Sequence, residues 1–270
     1  MTSPFIPAVE PANQEPGPVW WFAFQEDKLL VLHSDGEIRL PDLEQLELSP
    51  TRRHYLGALG GQGCYVVEIA GDVALPDNTS LEGLRGLFGR LDEDLFGVAG
   101  RALQIVTWDR THQFCGRCGS PTELVPGERA RKCPVCGLTA YPRISPAVIM
   151  QVTKGDQILL ARGLNFAEGM YSTPAGFVEP GETLEEAVAR EIEEETGVIV
   201  DNIRYFGSQP WPYPHQMMIG FTASWAAGEI QIDPNEIADA QWFNRRSMPH
   251  IPPRMSISRR LIDDYLEGGR

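Results

Sequence analysis

The sequence predicts an α/β protein that contains more than one domain. Three observations support this: β-like apolar runs near the start, two CxxC pairs in the middle, and a strand hairpin followed by a well-capped helix in the second half. At 270 residues the chain is also longer than one typical domain. We therefore expect a flexible tail, a small α+β domain, a ribbon module built on cysteines and an α/β domain, over residues 1–18, 19–110, 111–143 and 144–270.

The first part of the chain carries mainly turn and strand signals. Five prolines among residues 1–18 favour a flexible tail. Turn residues separate the runs VWWFAF, KLLVLHS and CYVVEIA, so we expect a small antiparallel sheet, with Cys64 as a core residue. Leu81–Gln113 is predicted to be mostly helical, in two pieces.

The two CxxC pairs are fourteen residues apart, and a glycine follows each of them. This spacing is close to that of a zinc ribbon with ligands Cys115, Cys118, Cys133 and Cys136. Two disulfides or redox-active thiols are the alternative. The N-terminus shows no apolar signal segment, so we expect a cytoplasmic protein whose thiols stay reduced and bind structural Zn²⁺.

The second half predicts a hairpin, a central helix and a C-terminal helix. AVIMQV and ILLAR flank the turn Lys154–Gln157, and residues 261–266 close the chain as a helix. Thr183 and Glu186 match a capping box for the central helix, and Gly197 is a good stop.

Six glutamates lie between residues 185 and 195 of that central helix. At about 100° per residue, Glu191 and Glu195 fall on its apolar arc, and Glu194 lies at the edge. Buried like charges repel one another and lose hydration, so this arrangement predicts a bound cation. Oxygen ligands favour Mg²⁺ or Mn²⁺. A solvated acidic helix is the alternative.

The spacing of this segment resembles the Nudix hydrolase family. Its fixed positions are reproduced by Gly176, Glu182, Arg190-Glu191-Ile192, Glu194-Glu195 and Gly197-Val198. The resemblance implies an α/β/α sandwich that hydrolyses nucleoside diphosphates linked to another group. It implies that Glu191, Glu194 and Glu195 are catalytic and bind the metal, with Glu194 as a ligand or a base. It also implies Ala175, through its carbonyl, and Glu236 as further Mg²⁺ or Mn²⁺ ligands, and Arg190 as the residue that orients the carboxylates.

A proline-rich segment, Ser208–Pro214, narrows the resemblance. Its prolines predict a stiff extended loop whose Trp211 and Tyr213 either stack on a flat ring or tuck into the core. Together with the ribbon, the segment is similar to the SQPWPFP motif of the NADH pyrophosphatase family, although Tyr213 replaces Phe and His215-Gln216 departs from the usual ending. The resemblance implies that the dinucleotide is lined by Gln209, Pro210, Trp211, Pro212, Tyr213, Pro214, His215 and Gln216.

Other positions carried over from this family lie elsewhere in the chain. The resemblance implies that Tyr141 and Phe177 stack on nicotinamide, that Glu128, Ser258 and Arg85 contact substrate, and that Tyr141 serves the other subunit of a homodimer. Structural alternatives remain open: Phe177 fills the core, Tyr141 joins the ribbon to the next domain, and Glu236 belongs to the first turn of a helix.

The net charge of −14 argues against a duplex-binding protein. One exception is Arg129-Ala-Arg131-Lys132, which either steadies a phosphate or forms a solvated loop. The expected reaction is metal-dependent hydrolysis of the pyrophosphate of NAD(H) to NMN(H) and AMP, and the resemblance also permits removal of NAD caps from RNA 5′ ends. The alternatives are a broader hydrolase acting on ADP-ribose or dinucleoside polyphosphates, and a non-catalytic nucleotide sensor. The intact box speaks against a sensor.

Overall fold

The computed structural model describes residues 5–11, 18–43, 50–71 and 74–268. The chain forms two compact units, Met1–Arg143 and Ile144–Arg270. Within the described ranges, no helix is both long and apolar enough to cross a bilayer.

The first unit is built on one large sheet, two helices and a short three-stranded ribbon. The strands of the sheet are β1 (Ile6–Pro7), β2 (Trp20–Gln25), β3 (Lys28–Ser34), β4 (Glu37–Arg39), β5 (Arg52–Leu59), β6 (Gln62–Glu68) and β7 (Thr79–Gly83). Their order is β1-β5-β6-β2-β3-β4, with β7 paired to β3. The helices and the ribbon strands are α1 (Leu84–Leu87), α2 (Glu93–Thr111), β8 (Glu123–Leu124), β9 (Arg131–Lys132) and β10 (Thr139–Ala140).

Two expectations for this unit need correction, and a third is confirmed. The sheet is not wholly antiparallel, because two hairpins meet through β2 and β6, which run parallel with Trp20 opposite Cys64. The predicted helical region is too long at its start, since residues 79–83 form β7 and α1 has only four residues. The core position predicted for Cys64 is confirmed, because this residue is fully buried.

The flexible tail expected over residues 1–18 is wrong at Ile6–Pro7, where the chain pairs with Gly57 and Ala58 on β5. Gly57 makes this approach possible, because a Cβ there would lie 2.1 Å from the carbonyl oxygen of Ile6. Its φ of +131° also favours glycine. Residues 1–4 and 12–17 of the expected tail lie outside the described residues.

In the basic ribbon segment, residues 129–132, the two arginines neither form a phosphate site nor lie in a solvated loop. Arg131 is buried, pairs with Asp109 of α2, and donates to Thr122. Arg129 donates to the carbonyls of Tyr55 and Ala8. Burial opposes the charge on Asp109, but hydrogen bonds and opposite charge from His54 and Arg131 outweigh it and lower the pKa of this carboxyl. Within this unit, Arg131 therefore ties the ribbon to α2, and Arg129 ties it to β5 and the segment after β1.

The second unit is built on one sheet and two helices. Its elements are β11 (Ser145–Lys154), β12 (Gln157–Gly163), β13 (Ala175–Phe177), α3 (Leu184–Thr196), β14 (Ile199–Trp211), β15 (Gln216–Ala227), β16 (Ile237–Asn244) and α4 (Ile257–Glu267). The strand order is β14-β15-β11-β12-β16, and β13 pairs with β11. The predicted hairpin is confirmed, since Lys154 faces Gln157 across a two-residue loop. The predicted C-terminal helix is confirmed as α4.

Opposite faces of this sheet bind different helices. Val148, Met150 and Val152 of β11 pack with Ala187, Val188 and Ile192 of α3. Between them, Ile149 points to the other face and packs with Ile257 and Leu261 of α4. The unit is therefore an α/β/α sandwich, as expected.

Candidate active site

The four cysteines of the ribbon form a closed group. Their sulfurs all lie within 4.8 Å of one another, and Cys115–Cys136 and Cys118–Cys133 are each 3.5 Å apart. A disulfide requires about 2.05 Å, so the disulfide alternative fails and all four are free thiols. A tetrahedral Zn²⁺ with bonds of about 2.3 Å would place its sulfurs about 3.8 Å apart. The geometry therefore fits a structural zinc ion.

The two halves of the cysteine site are built in the same way. The N–H of Gly119 donates to the carbonyl of Cys115, and the N–H of Gly137 donates to the carbonyl of Cys133. Both glycines have φ near +75°, at +73° and +75°, a backbone conformation in which a side chain is strained. The glycines noted after each CxxC pair thus form the turns that bring the thiols together.

The helix α3 has the ends that the sequence predicts. Thr183 accepts a hydrogen bond from the N–H of Glu186, and the Glu186 carboxylate accepts from the N–H of Thr183, which completes the capping box. Gly197 ends the helix in the left-handed conformation. These two local signals fix where the helix begins and ends.

Two of the three candidate carboxylates are buried and one is not. Glu191 is 9% exposed and Glu195 is 7% exposed, whereas the Glu194 side chain is 61% exposed. Glu185, Glu186 and Glu193 face solvent, as expected. The solvated-helix alternative is therefore wrong for Glu191 and Glu195, although it describes the other face of α3.

Burial has a large effect on the charge of these groups. Burial, with added repulsion from Glu191, Glu236 and Glu194, raises the pKa of Glu195 to about 8. Burial also raises the pKa of Glu191, although the Arg190 guanidinium opposes this shift. One oxygen of Glu195, Oε2, is buried and has no hydrogen-bond partner among the described residues. A buried carboxylate without a donor is a group that a cation would stabilise.

Arg190 organises the acidic side chains around α3. Its Nε donates to Glu182 (2.6 Å), and its Nη1 donates to Glu191 (2.8 Å) and to Glu194 (2.9 Å). Its Nη2 donates to the carbonyl of Phe177 and to Glu182, both at 2.9 Å. Hydrogen bonding to Arg190 lowers the pKa of Glu182 to about 2. The expected role of Arg190 in orienting carboxylates agrees with this geometry.

Gly176 leaves the space that the Glu191 carboxylate occupies. A Cβ built at Gly176 would lie 1.9–2.3 Å from the three carboxylate atoms of Glu191. Gly176 is the middle residue of β13 and faces Val148 on β11, so the strand and the carboxylate are in direct contact. The glycine that begins the Nudix pattern therefore has a steric reason to be there.

These residues fit a hard divalent cation in their chemistry, because they offer oxygen donors and one unpartnered buried oxygen. Among the described residues, however, the cysteines are the only group of three or more His, Cys, Asp or Glu side chains whose ligand atoms lie within 4.8 Å of one another. Glu236 is exposed, in the turn before β16 and not in a helix. Ala175, whose carbonyl is a candidate ligand, begins β13. Glu236 is close enough to raise the pKa values of Glu191 and Glu195.

The proline-rich segment is a strand end and a turn. β14 continues through Trp211, and β15 begins at Gln216, which pairs with Trp211. The rings of Trp211 and Tyr213 meet edge to face, with centroids 5.0 Å apart. His215 bonds to Ser145, through its carbonyl oxygen and its Nδ1. The expected stiff extended loop is thus a compact turn over residues 212–215.

Two other predicted contact residues make hydrogen bonds inside the unit. The Gln209 amide donates to the carbonyl of Met255 and accepts from the N–H of Ile257, so it fixes the start of α4. Ser258 is buried, and its hydroxyl bonds to Ser172 and Thr173. Sequence reasoning did not anticipate either role, because the partners are distant in the chain.

The two predicted stacking rings are exposed. Phe177 is 51% exposed at the end of β13, so the alternative that it fills the core is wrong. In the first unit, Tyr141 is 61% exposed just after β10. Glu128 is an exposed ribbon residue, and Arg85 is exposed on α1.

Three sequence families match successive parts of the chain. Residues 18–108 match the NADH pyrophosphatase-like rudimentary NUDIX domain, residues 110–141 match the NADH pyrophosphatase zinc ribbon domain, and residues 142–265 match the NUDIX domain. The zinc ribbon is thereby confirmed.

Curated relatives are similar over most of the chain. The NAD-capped RNA hydrolase NudC of Stutzerimonas stutzeri is 47% identical over 83% of this chain and 81% of the relative. The protein of the same name from Pseudomonas fluorescens strain Pf0-1 is 44% identical over 98% of this chain and 95% of the relative. Among solved structures, a NUDIX hydrolase from Nitrosomonas europaea matches with a TM-score of 0.50 and 24% identity, over 57% of this chain and 90% of that one. This last match supports the fold alone.

Proposed function

Because this chain belongs to the Nudix hydrolase family, we propose that it hydrolyses the pyrophosphate bond of NAD(H) to give NMN(H) and AMP. The observation that carries the proposal is the intact Nudix box, folded so that Glu191 and Glu195 are both buried, with the Glu191 carboxylate against Gly176 and bonded to Arg190. The relatives named as NAD-capped RNA hydrolases support a second form of the same substrate. We therefore extend the proposal to NAD caps on RNA 5′ ends.

The metal ligands that we propose are Glu191, Glu195, Glu194, Glu236 and the carbonyl of Ala175. When bound, a divalent cation supplies neutralisation of phosphate charge and a lower pKa for the attacking water. Glu195 contributes an oxygen with no other partner among the described residues. One Glu191 oxygen stays on Arg190, and this bond holds the carboxylate against β13.

Glu194 is also the proposed base or ligand. Its Oε2 accepts from Arg190, while most of the side chain is open to solvent. This exposure lets the carboxylate reach a water molecule, as a base must. Its removal would leave the buried pair Glu191 and Glu195 in place, so its contribution can be measured separately from theirs.

Substrate recognition is proposed to rest on the exposed ring of Phe177. Its carbonyl accepts a hydrogen bond from Arg190, which also bonds to Glu191 and Glu194, so the backbone of Phe177 is tied to the group that holds these carboxylates. A flat apolar ring of this kind suits stacking on nicotinamide, which would place the scissile bond near the metal. We propose Tyr141 as the second stacking ring and Arg85, Glu128 and Ser258 as further contacts, all on the family resemblance. Gln209 to Gln216 would line the dinucleotide, with Gln209 acting through its hold on α4.

We also propose a catalytic ion, a cellular compartment and an oligomeric state for this protein. We propose Mg²⁺ or Mn²⁺ as the catalytic ion, because the donors are all oxygens. Free thiols at a zinc ribbon suit the reducing cytoplasm. We propose a homodimer in which Tyr141 serves the partner's site. Exposed apolar side chains on the ribbon, including Phe114 and Val135, support an interface there.

Product analysis by chromatography tests the reaction. NADH, NAD⁺, ADP-ribose and NAD-capped RNA are each incubated with Mg²⁺ or Mn²⁺. We expect NMNH and AMP from NADH, and 5′-monophosphate RNA from the capped transcript. Preferential turnover of ADP-ribose would instead support the broader hydrolase. No turnover of any substrate would support the non-catalytic sensor.

A further inference from the structure

A second polar cleft lies in the second unit, beside the C-terminal end of α4. Its volume is about 390 Å³, which is within the range of small-molecule sites. None of the residues assigned above to catalysis or substrate binding lines it.

The floor of the cleft is a polar row across three strands. Gln151 on β11 faces Thr222 on β15, and Thr222 faces Arg204 on β14. Residues in register point to the same side of a sheet. Two positions earlier on this side, Ile149 packs against α4. The face of the sheet therefore changes from apolar to polar at Gln151, where α4 no longer covers it with aliphatic side chains.

The side-chain amide oxygen of Gln151, Oε1, is buried without a hydrogen-bond donor among the described residues. Gln151 as a whole is 5% exposed. Its strand neighbours Met150 and Val152 are fully buried apolar residues. A buried amide oxygen in such a strand costs stability unless a donor reaches it. The cleft is the route by which a ligand can bring that donor.

Two arginines make the cleft cationic. Arg245 is held in place, because its Nε donates to the Tyr265 carbonyl and its guanidinium lies 5.2 Å from the Tyr265 ring centroid. Among the described residues, the Nη groups of Arg245 make no hydrogen bond, and the side chain of Arg204 makes neither a hydrogen bond nor an ion pair. Asp264 is the single carboxylate among the lining residues that the structure describes. This local excess of positive charge occurs in a chain with a net charge of −14.

We propose that this cleft binds a 5′-nucleoside monophosphate group, either as a free nucleotide or as one unit of an RNA chain. Arg204 and Arg245 would bind the phosphate, since guanidinium groups match phosphate oxygens. The Gln151 Oε1 would accept from an amino group of the base or from a ribose hydroxyl. Inorganic phosphate alone would leave this acceptor unpaired, so the volume and the donor requirement both favour a nucleotide. The site does not depend on the proposed hydrolysis.

Calorimetric titration of the full-length, zinc-loaded protein tests the site without added Mg²⁺ or Mn²⁺. The probes are AMP, adenosine, inorganic phosphate and an uncapped tetraribonucleotide. We expect AMP to bind at least about tenfold more tightly than adenosine or phosphate, since each of these loses charged or polar contacts. Tighter binding of the tetraribonucleotide than of AMP would identify RNA as the source, and the reverse would identify the free nucleotide.

Variants locate the binding and separate it from catalysis. Arg204→Ala and Arg245→Ala should each weaken AMP binding by about tenfold or more. Arg246→Ala, which removes the exposed neighbouring arginine, should leave it unchanged. Gln151→Leu should weaken the binding of AMP and of the tetraribonucleotide, but not the binding of inorganic phosphate. All four variants should hydrolyse NADH like the unmodified protein. Absence of AMP and tetraribonucleotide binding, or equal binding by Arg204→Ala, Arg245→Ala and the unmodified protein, would overturn the proposal.

Discussion

Replacement of Gly176 by alanine is the sharpest test of how β13 and α3 form the active site. The new Cβ would lie 1.9 Å from the Glu191 carboxylate carbon, so the carboxylate must retreat by about 1.5 Å to reach an ordinary contact of 3.4 Å. Metal–oxygen distances tolerate only about 0.2 Å. A displacement near 1 Å costs on the order of a hundredfold in rate. We therefore expect kcat for NADH to fall by about a hundredfold.

Gly163→Ala is the matched control for this change. Gly163 lies on β12 of the same unit, and its added Cβ would meet only the Phe166 ring, at 3.8 Å. Steady-state kinetics with Mn²⁺ should therefore show near-normal turnover for Gly163→Ala. Turnover by Gly176→Ala within about threefold of the unmodified enzyme would contradict this reasoning, since a carboxylate displaced by about 1.5 Å could not remain a metal ligand.

Four further changes probe other parts of the account. Glu195→Gln should reduce kcat by about a hundredfold or more, because the metal loses an anionic ligand. The same change should leave the free energy of unfolding of the metal-free protein unchanged in urea titrations, because the raised pKa of Glu195 keeps this group mostly protonated at neutral pH. Phe177→Ala should weaken discrimination between NADH and ADP-ribose, and equal losses of kcat/KM on both would reject the stacking role. Arg131→Ala should lower the free energy of unfolding by about 1.5–3 kcal/mol, because it removes a buried charge-assisted hydrogen bond to Asp109 while Arg52 and His54 still pair with this carboxylate. The exposed Lys132→Ala should change the free energy of unfolding little in urea titrations. The pKa of Asp109 is lowered in the folded state, so its contribution to stability is complete above about pH 4 and is lost as the pH falls further. Asp109→Asn should therefore make the free energy of unfolding less dependent on pH in the acid range.

Features set by neighbouring residues were predictable from the sequence. The capping box at Thr183 and the stop at Gly197 lie within one segment, so both ends of α3 follow from short-range signals. The Gly155 turn of the β11–β12 hairpin is equally local. The cysteine site was predictable because two CxxC pairs with following glycines carry most of its geometry.

Features set by distant partners were not predictable. The strand Ile6–Pro7 depends on the missing side chain of Gly57, fifty positions later. The sequence around Arg129 and Arg131 favoured a solvated loop or a phosphate site, because their actual partners lie far away in the chain, on α2, β5 and the N-terminal segment. The Gln209 amide looked like a substrate contact, but it bonds to residues about 46 positions away at the start of α4. Such contacts come from tertiary packing, which no local pattern encodes.

In the candidate active site, too, local features were predictable and contacts between distant residues were not. Helical periodicity placed Glu191 and Glu195 on the buried arc, and both are buried. Periodicity alone left Glu194 at the edge, and in the structure it is exposed and bonded to Arg190. The contact between Gly176 and Glu191 joins a strand to a helix, so its steric content became visible only in three dimensions.

The location of Mn²⁺ in crystals soaked with the ion tests the central claim most directly. Anomalous scattering should show manganese bonded to Glu191 and to the Glu195 oxygen that now has no partner among the described residues, and Glu195→Gln crystals should lose that peak. Crystals in which manganese binds elsewhere, while Glu195 stays buried and unbound, would contradict a metal-dependent hydrolase built on these two side chains.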